Sequence, residues 1–147
     1  MYGHVSALLA EKGRQVYTIA PTATVREAVR EMNEKGVGAL LVLVDDGPVG
    51  ILSERDVLRR VVDEGRDPQN ATVSDVMTSD VLVVQPTTPI EQVMATMTER
   101  RVRHLPVMDE GKVVGLVSIG DVTRWVSKNQ EAHIQRMTDY ITGRAPA

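Results

Sequence analysis

The chain has 147 residues, 42% hydrophobic and 25% charged, with a formal net charge of −3 and no cysteine. That length holds one ordinary domain or two very small ones on a shared core, and the acidic balance excludes the basic stripe of a nucleic-acid binder. The lack of cysteine excludes a disulfide framework and thiolate metal sites, and no apolar run reaches membrane-spanning length, so a soluble, cytoplasmic protein with no nucleic-acid or membrane partner is expected.

The apolar part of the opening segment MYGHVSALLAEKGRQ is too short for a signal peptide. VYTIAP then reads as a short strand stopped by proline, which cannot extend a strand ladder. In TVREAVREMNEKG, Val25, Ala28, Val29 and Met32 fall at i, i+3, i+4 and i+7, the apolar stripe of a helix. Thr24 is placed to cap its start and Gly36 to end it. GALLVLV, the turn DDGP and VGILS read as a β-hairpin, and a second helix starts at Ser53. Residues 63–80, DEGRDPQNATVSDVMTSD, carry Gly, Pro, Asn and several Asp and are expected to cross the surface as a linker.

The same order of elements then returns. Residues 16–57 align with 81–122 at a constant offset of 65, without a gap, and 13 of the 42 pairs are identical. Among these are Pro21/Pro86, Met32/Met97, Gly50/Gly115, Ser53/Ser118 and Asp56/Asp121. Ile90, Val93, Met94 and Met97 repeat the helical stripe, and HLPVM, DEGK and VGLVS repeat the hairpin. Such a duplication is two copies of one β-α-β-β-α unit. One copy of about 50 residues buries too little surface alone, so the copies are expected to pack sheet to sheet. Past Val122, a helix is expected to run to Gly143 with Trp125, Ile134, Met137 and Ile141 along one face. The division is then 1–62 for the N-terminal segment and first repeat, 63–80 for the linker, 81–126 for the second repeat and 127–147 for the C-terminal helix and tail.

Each copy closes with G-h-h-S-x-x-D (h, hydrophobic), as GILSERD at 50–56 and GLVSIGD at 115–121. With RVRHLPV at 101–107 and DVMT at 75–78, the chain resembles a tandem pair of CBS (cystathionine-β-synthase) domains, or Bateman module, over roughly residues 10–127. It resembles the free-standing bacterial members that also carry a C-terminal helix. The resemblance implies an α+β pseudo-twofold module that binds an adenosine compound and regulates another protein, with no catalysis of its own. AMP leads among the ligands, followed by ADP and ATP, with NAD(H) and S-adenosylmethionine as alternatives. The implied partners are a second copy of the chain, in a homodimer, and a separate enzyme or transporter. A ligand-independent interaction scaffold is the competing reading.

Ser53 with Asp56 three residues on is also an ordinary capping box. The ligand reading adds that a helix start attracts phosphate, that the Ser53 hydroxyl stands beside it, and that Asp56 suits the two ribose hydroxyls. The resemblance implies that each site draws on both repeats. The first would join Ile51, Ser53, Arg55 and Asp56 to Val81, Leu82, Val102, Arg103 and His104, with Arg103 and His104 facing phosphate and the apolar residues facing adenine. The second would join Leu116, Ser118, Gly120 and Asp121 to Val16, Tyr17, Val37, Gly38 and Ala39. Gly38 and Ala39 stand there for Arg103 and His104, and Gly120 for Arg55, so weaker binding is expected. Arg103 aside, the charges of EKGRQ and ERRVR read mostly as solvated surface. His4, His104 and His133 lack metal-ligand spacing, no serine is ordered with a base, and Gly36-Val37-Gly38 is not followed by the GK[ST] of a phosphate loop. No metal and no catalytic cofactor is therefore expected.

Overall fold

The computed structural model describes residues 1–142, with the side chains of 131–137 and 139–142 outside that description. A helix α1 (Val5–Lys12) leads into the first repeat: β1 (Thr18–Ile19), α2 (Val25–Lys35), the hairpin β2 (Ala39–Val44) and β3 (Gly47–Ser53), and α3 (Glu54–Val57). A π-helical turn, Leu58–Val62, continues α3. A short helix α4 (Val73–Val76) precedes the second repeat: α5 (Ile90–Arg100), the hairpin β4 (His104–Asp109) and β5 (Lys112–Ser118), and α6 (Ile119–Thr142). The architecture is α+β, with two small sheets that meet along β3 and β5.

The duplication extends to register. Ala39 pairs with Ser53 as His104 pairs with Ser118, and a bulge falls after Val42 in one hairpin and after Val107 in the other. The parallel pairing of Ile19 with Val42 is matched by a single bridge from Val84 to Val107. The expected early strands are thus shorter than their sequences, two residues in one repeat and one bridge in the other. Pro21 and Pro86 end each run.

Local chemistry accounts for the helices. The Thr24 side chain accepts from Glu27 N at 3.1 Å, and Gly36 closes α2 at φ 65°. At the matching end of α5, Arg101 takes φ 55°, a conformation uncommon for a side-chain-bearing residue. The segment from 119 runs as one 24-residue helix, whose Trp125 donates from Nε1 to Tyr2 O at 2.7 Å. The side chains of the expected stripe partners Ile134, Met137 and Ile141 are not among those described, and the expected stop at Gly143 lies outside the described residues.

The core is two clusters, one per repeat, and each is completed by the segment that precedes the other repeat. Ala71, Val73 and Val76 are buried in the first cluster beside Val25, Leu40 and Leu52. Of the expected surface linker, residues 63–70 form an unbroken exposed run. Residues 71–78 are instead tied to the first repeat: Val25 N donates to Ala71 O, and Ile51 and Thr78 exchange both backbone hydrogen bonds, all at 2.9 Å. Conversely, Val5, Leu8 and Leu9 of α1 are buried against Ile90, Val93 and Leu105 of the second repeat, although the sequence joins them to the first. Gly115 makes room for this: a Cβ there would lie 2.8 Å from Leu9 Cδ2.

Candidate functional site

Two clefts lie where the repeats meet, of about 480 and 400 Å³. The first collects all nine residues expected of the first site: Ile51, Ser53, Arg55 and Asp56 from one repeat, and Val81, Leu82, Val102, Arg103 and His104 from the other. The second collects Val16, Tyr17, Val37, Gly38, Ala39, Leu116, Ser118 and Asp121. Gly120, expected there, lines the first cleft instead. Gly38, His104 and Ser118 border both, so the two clefts adjoin.

The start of α3 is built as a reciprocal cap. The Ser53 amide donates to Asp56 Oδ2 at 2.9 Å and the Asp56 amide to Ser53 Oγ at 3.2 Å. The Ser53 hydroxyl donates to Asp56 Oδ2 at 3.1 Å, and the Thr78 hydroxyl to Asp56 Oδ1 at 3.1 Å. Asp56 is buried, with 8% of its surface exposed, and its partners are hydroxyls and an amide rather than a cation. The Glu54 amide donates to Gly38 O at 2.9 Å, as the Ile119 amide does to Arg103 O in the other repeat. With the Glu54 and Asp56 amides both engaged, this helix start offers fewer free N–H groups to an anion than its sequence implies. Positive charge in the cleft comes from side chains: Arg55, Arg59, Arg60, Arg101 and Arg103 outnumber Glu54, Asp56 and Asp80. Arg60 is committed, donating from Nη1 to Val76 O at 3.0 Å and Met77 O at 2.8 Å at the end of α4.

The second cleft repeats the cap, with the Ser118 amide 2.9 Å from Asp121 Oδ2 and the Asp121 amide 3.1 Å from Ser118 Oγ. Its carboxylate is otherwise different. Lys12 Nζ lies 2.5 Å from Asp121 Oδ2, and Arg124 Nη2 lies 2.8 Å from Oδ1. Burial alone would raise the Asp121 pKa, but the hydrogen bond from Lys12, the Ser118 amide and the Lys12 charge together hold it below the ordinary carboxylate value. Tyr17 packs on the first core with the Lys35 ammonium 5.6 Å from its ring centroid, a cation–π arrangement.

Sequence reasoning missed several contributors, Arg59 and Arg60 of the first cleft among them. Thr78 sits in the DVMT signature, whose last residue was the available signal. Arg101 and Lys12 belong to charge runs read as solvated surface, whereas Arg101 lines the first cleft and Lys12 is ion-paired in the second. Arg124 lies one helical turn beyond Asp121, a spacing that itself suggests a pair.

Burial pushes the His104 imidazole below its usual value of 6.5; Asp121 opposes this, Lys12 and Arg103 add to it, and Asp56 opposes it weakly. Between the lowered native value and 6.5 the unfolded chain therefore binds more protons than the native one. Stability should be at its full value above about pH 6.5 and fall as the pH drops through that window. Urea midpoints measured from pH 8 to pH 5 should show this loss, and His104→Gln should flatten that part of the profile; an unchanged slope in the variant would assign the effect elsewhere.

The family model for the CBS domain matches residues 12–63 and 73–128. A mitochondrial CBS domain-containing protein of Arabidopsis thaliana is 38% identical over 125 residues, 82% of this chain, which spans 61% of that relative's length. A putative signal-transduction protein with CBS domains from Burkholderia ambifaria superposes with a TM-score of 0.82 at 42% identity, covering 86% of this chain and 96% of that one. A CBS domain protein from Pyrobaculum aerophilum, solved in complex with AMP, superposes with a TM-score of 0.71 at 30% identity, covering 80% of this chain and 88% of that one.

Proposed function

This chain belongs to the CBS domain family, and from that premise we propose that it is a regulatory module whose first cleft binds an adenosine nucleotide, AMP foremost. The observation that carries the reading is the pairing, across one cleft, of a buried carboxylate with neutral partners, Asp56, and the basic group Arg103 and His104 contributed by the other repeat. A carboxylate in that setting suits two ribose hydroxyls, and the arginine fork suits phosphate. Ile51, Val81, Leu82 and Val102 supply apolar walls for a purine. The AMP complex of the Pyrobaculum aerophilum relative supports the same ligand class.

A ligand seated there touches both repeats at once, so it favours whichever relative placement of the repeats fits it. Its regulatory effect equals its difference in affinity between the two placements, which a partner protein reads. The second cleft is the weaker site in this reading. Two copies pair through apolar residues left exposed in one chain: Leu58 and Val62, a turn apart, are 62% and 65% exposed.

Calorimetric titration of AMP into the purified chain tests the reading, with ATP, NADH and S-adenosylmethionine alongside. Saturable binding at one site per chain is expected for AMP. No binding by any of the four would leave the two Ser/Asp pairs as helix caps and favour the scaffold reading.

A further inference from the structure

The two buried acids that the duplication makes equivalent are occupied differently. Asp56 accepts from Ser53 and Thr78, all neutral donors. Asp121 carries a cation on each carboxylate oxygen, Lys12 on Oδ2 and Arg124 on Oδ1. The Lys12 ammonium also donates to the carbonyl of Leu116, on the strand that walls the second cleft. At the offset of 65 residues, Lys12 corresponds to Met77, whose side chain packs over Gly50 instead of reaching Asp56.

Lys12 is also held in place. It is the last residue of α1, and Val5, Leu8 and Leu9 of that helix are buried in the second core. The helix is tied down further by Val5 N donating to Thr88 O and Ser6 N to Pro86 O, each at 2.9 Å, and by an ion pair between Glu11 and Lys128 of α6. The Lys12 side chain is 32% exposed, so its head is directed inward from a fixed base.

We propose that Lys12 is an internal occupant of the second cleft, seated on Asp121 where a ribose diol would have to bind, so that α1 keeps this cleft closed to nucleosides. The proposal rests on the reading of the paired Asp residues as ribose acceptors. A neutral hydroxyl competing for Asp121 must displace a part-buried, charge-assisted hydrogen bond, which is stronger than the one it would make. The cleft opens when α1 shifts or when Lys12 is lost. The chain thereby decides how many nucleotides the module takes through a residue outside the G-h-h-S-x-x-D motif.

The test replaces Lys12 by the residue its counterpart carries, Lys12→Met, in a background where the first cleft is disabled by Asp56→Ala. AMP and adenosine are titrated calorimetrically into wild type, Asp56→Ala and the double variant, with thermal unfolding confirming that each is folded. Asp56→Asn, which keeps the shape of the cap, serves as the background should the alanine variant not fold. Asp56→Ala should bind neither compound, and the double variant should gain one site per chain for at least one of them. A double variant that binds neither overturns the proposal, and so does a second site already open in wild type. Failure of wild type to bind AMP while the double variant binds would overturn the assignment of the first cleft and leave the role of Lys12 standing.

Discussion

Asp56→Ala should weaken AMP binding by about 100-fold or more, because two hydrogen bonds from ribose hydroxyls to a carboxylate are each worth about 1.5–3 kcal/mol. The same change removes the acceptor for Ser53 N, Ser53 Oγ and Thr78 Oγ1. Ser53 Oγ still accepts from the amide of residue 56, so only the side-chain half of the capping box is lost, and its lost hydrogen bonds should cost about 1 kcal/mol of stability. The two effects separate in Asp56→Asn, whose side-chain oxygen still accepts from the cap but has lost its charge. Asparagine should keep most of the stability and still lose much of the affinity. Calorimetry with AMP and urea unfolding on the same three proteins check both parts. Affinity within threefold of wild type in the alanine variant would remove Asp56 from the site and return it to the capping box alone.

The second large effect is on stability. Leu9→Ala should destabilise the protein by about 2–5 kcal/mol, the range for a leucine deleted from a packed interior. For a chain of this size that corresponds to a fall in Tm of roughly 2–4 °C per kcal/mol. Leu9 is 1% exposed, belongs to the core cluster of the second repeat and packs over Gly115, which has no side chain of its own to fill the lost volume. The sequence alone would make this a modest change in a short leading segment. In the fold, α1 completes the core of the repeat that lies furthest from it along the chain. A loss below about 0.5 kcal/mol, the level of an ordinary surface substitution, would mean that α1 is not docked as described.

The α1 contact also links stability to ligand. A variant that loosens α1 should loosen the hold of Lys12 on Asp121, since both depend on the burial of Val5, Leu8 and Leu9. Leu9→Ala therefore acts on the same cleft as Lys12→Met, by the cost of packing rather than by charge.

What the sequence determined by itself was everything that depends on neighbours along the chain. The offset of 65 residues fixed two units, and it reappears unchanged in the hairpin registers, Ala39 with Ser53 and His104 with Ser118. The stripe of Val25, Ala28 and Met32 fixed α2 and its buried face, because a helix places residues three and four apart on one side. The S-x-x-D spacing fixed the caps, since a side chain three residues on reaches back to the helix start. The nine residues that gather in the first cleft were legible only through resemblance to a family, because they come from three separate segments, 51–56, 81–82 and 102–104, and no periodicity joins them.

Tertiary structure alone decided the rest. Residues 71–78 read as linker because they follow Gly65, Pro68 and Asn70 in a stretch with several Asp, yet Val73 and Val76 fill the first core and Thr78 extends its sheet at Ile51. The early strands shortened to two residues and a single bridge, since strand length is set by the partner available and not by β-propensity. Lys12 read as solvated because a lone lysine in a charge run has no local partner, and its acid lies 109 residues away. Contacts at that separation depend on how the two repeats exchange their leading segments, and packing energy, summed over both cores, sets that exchange.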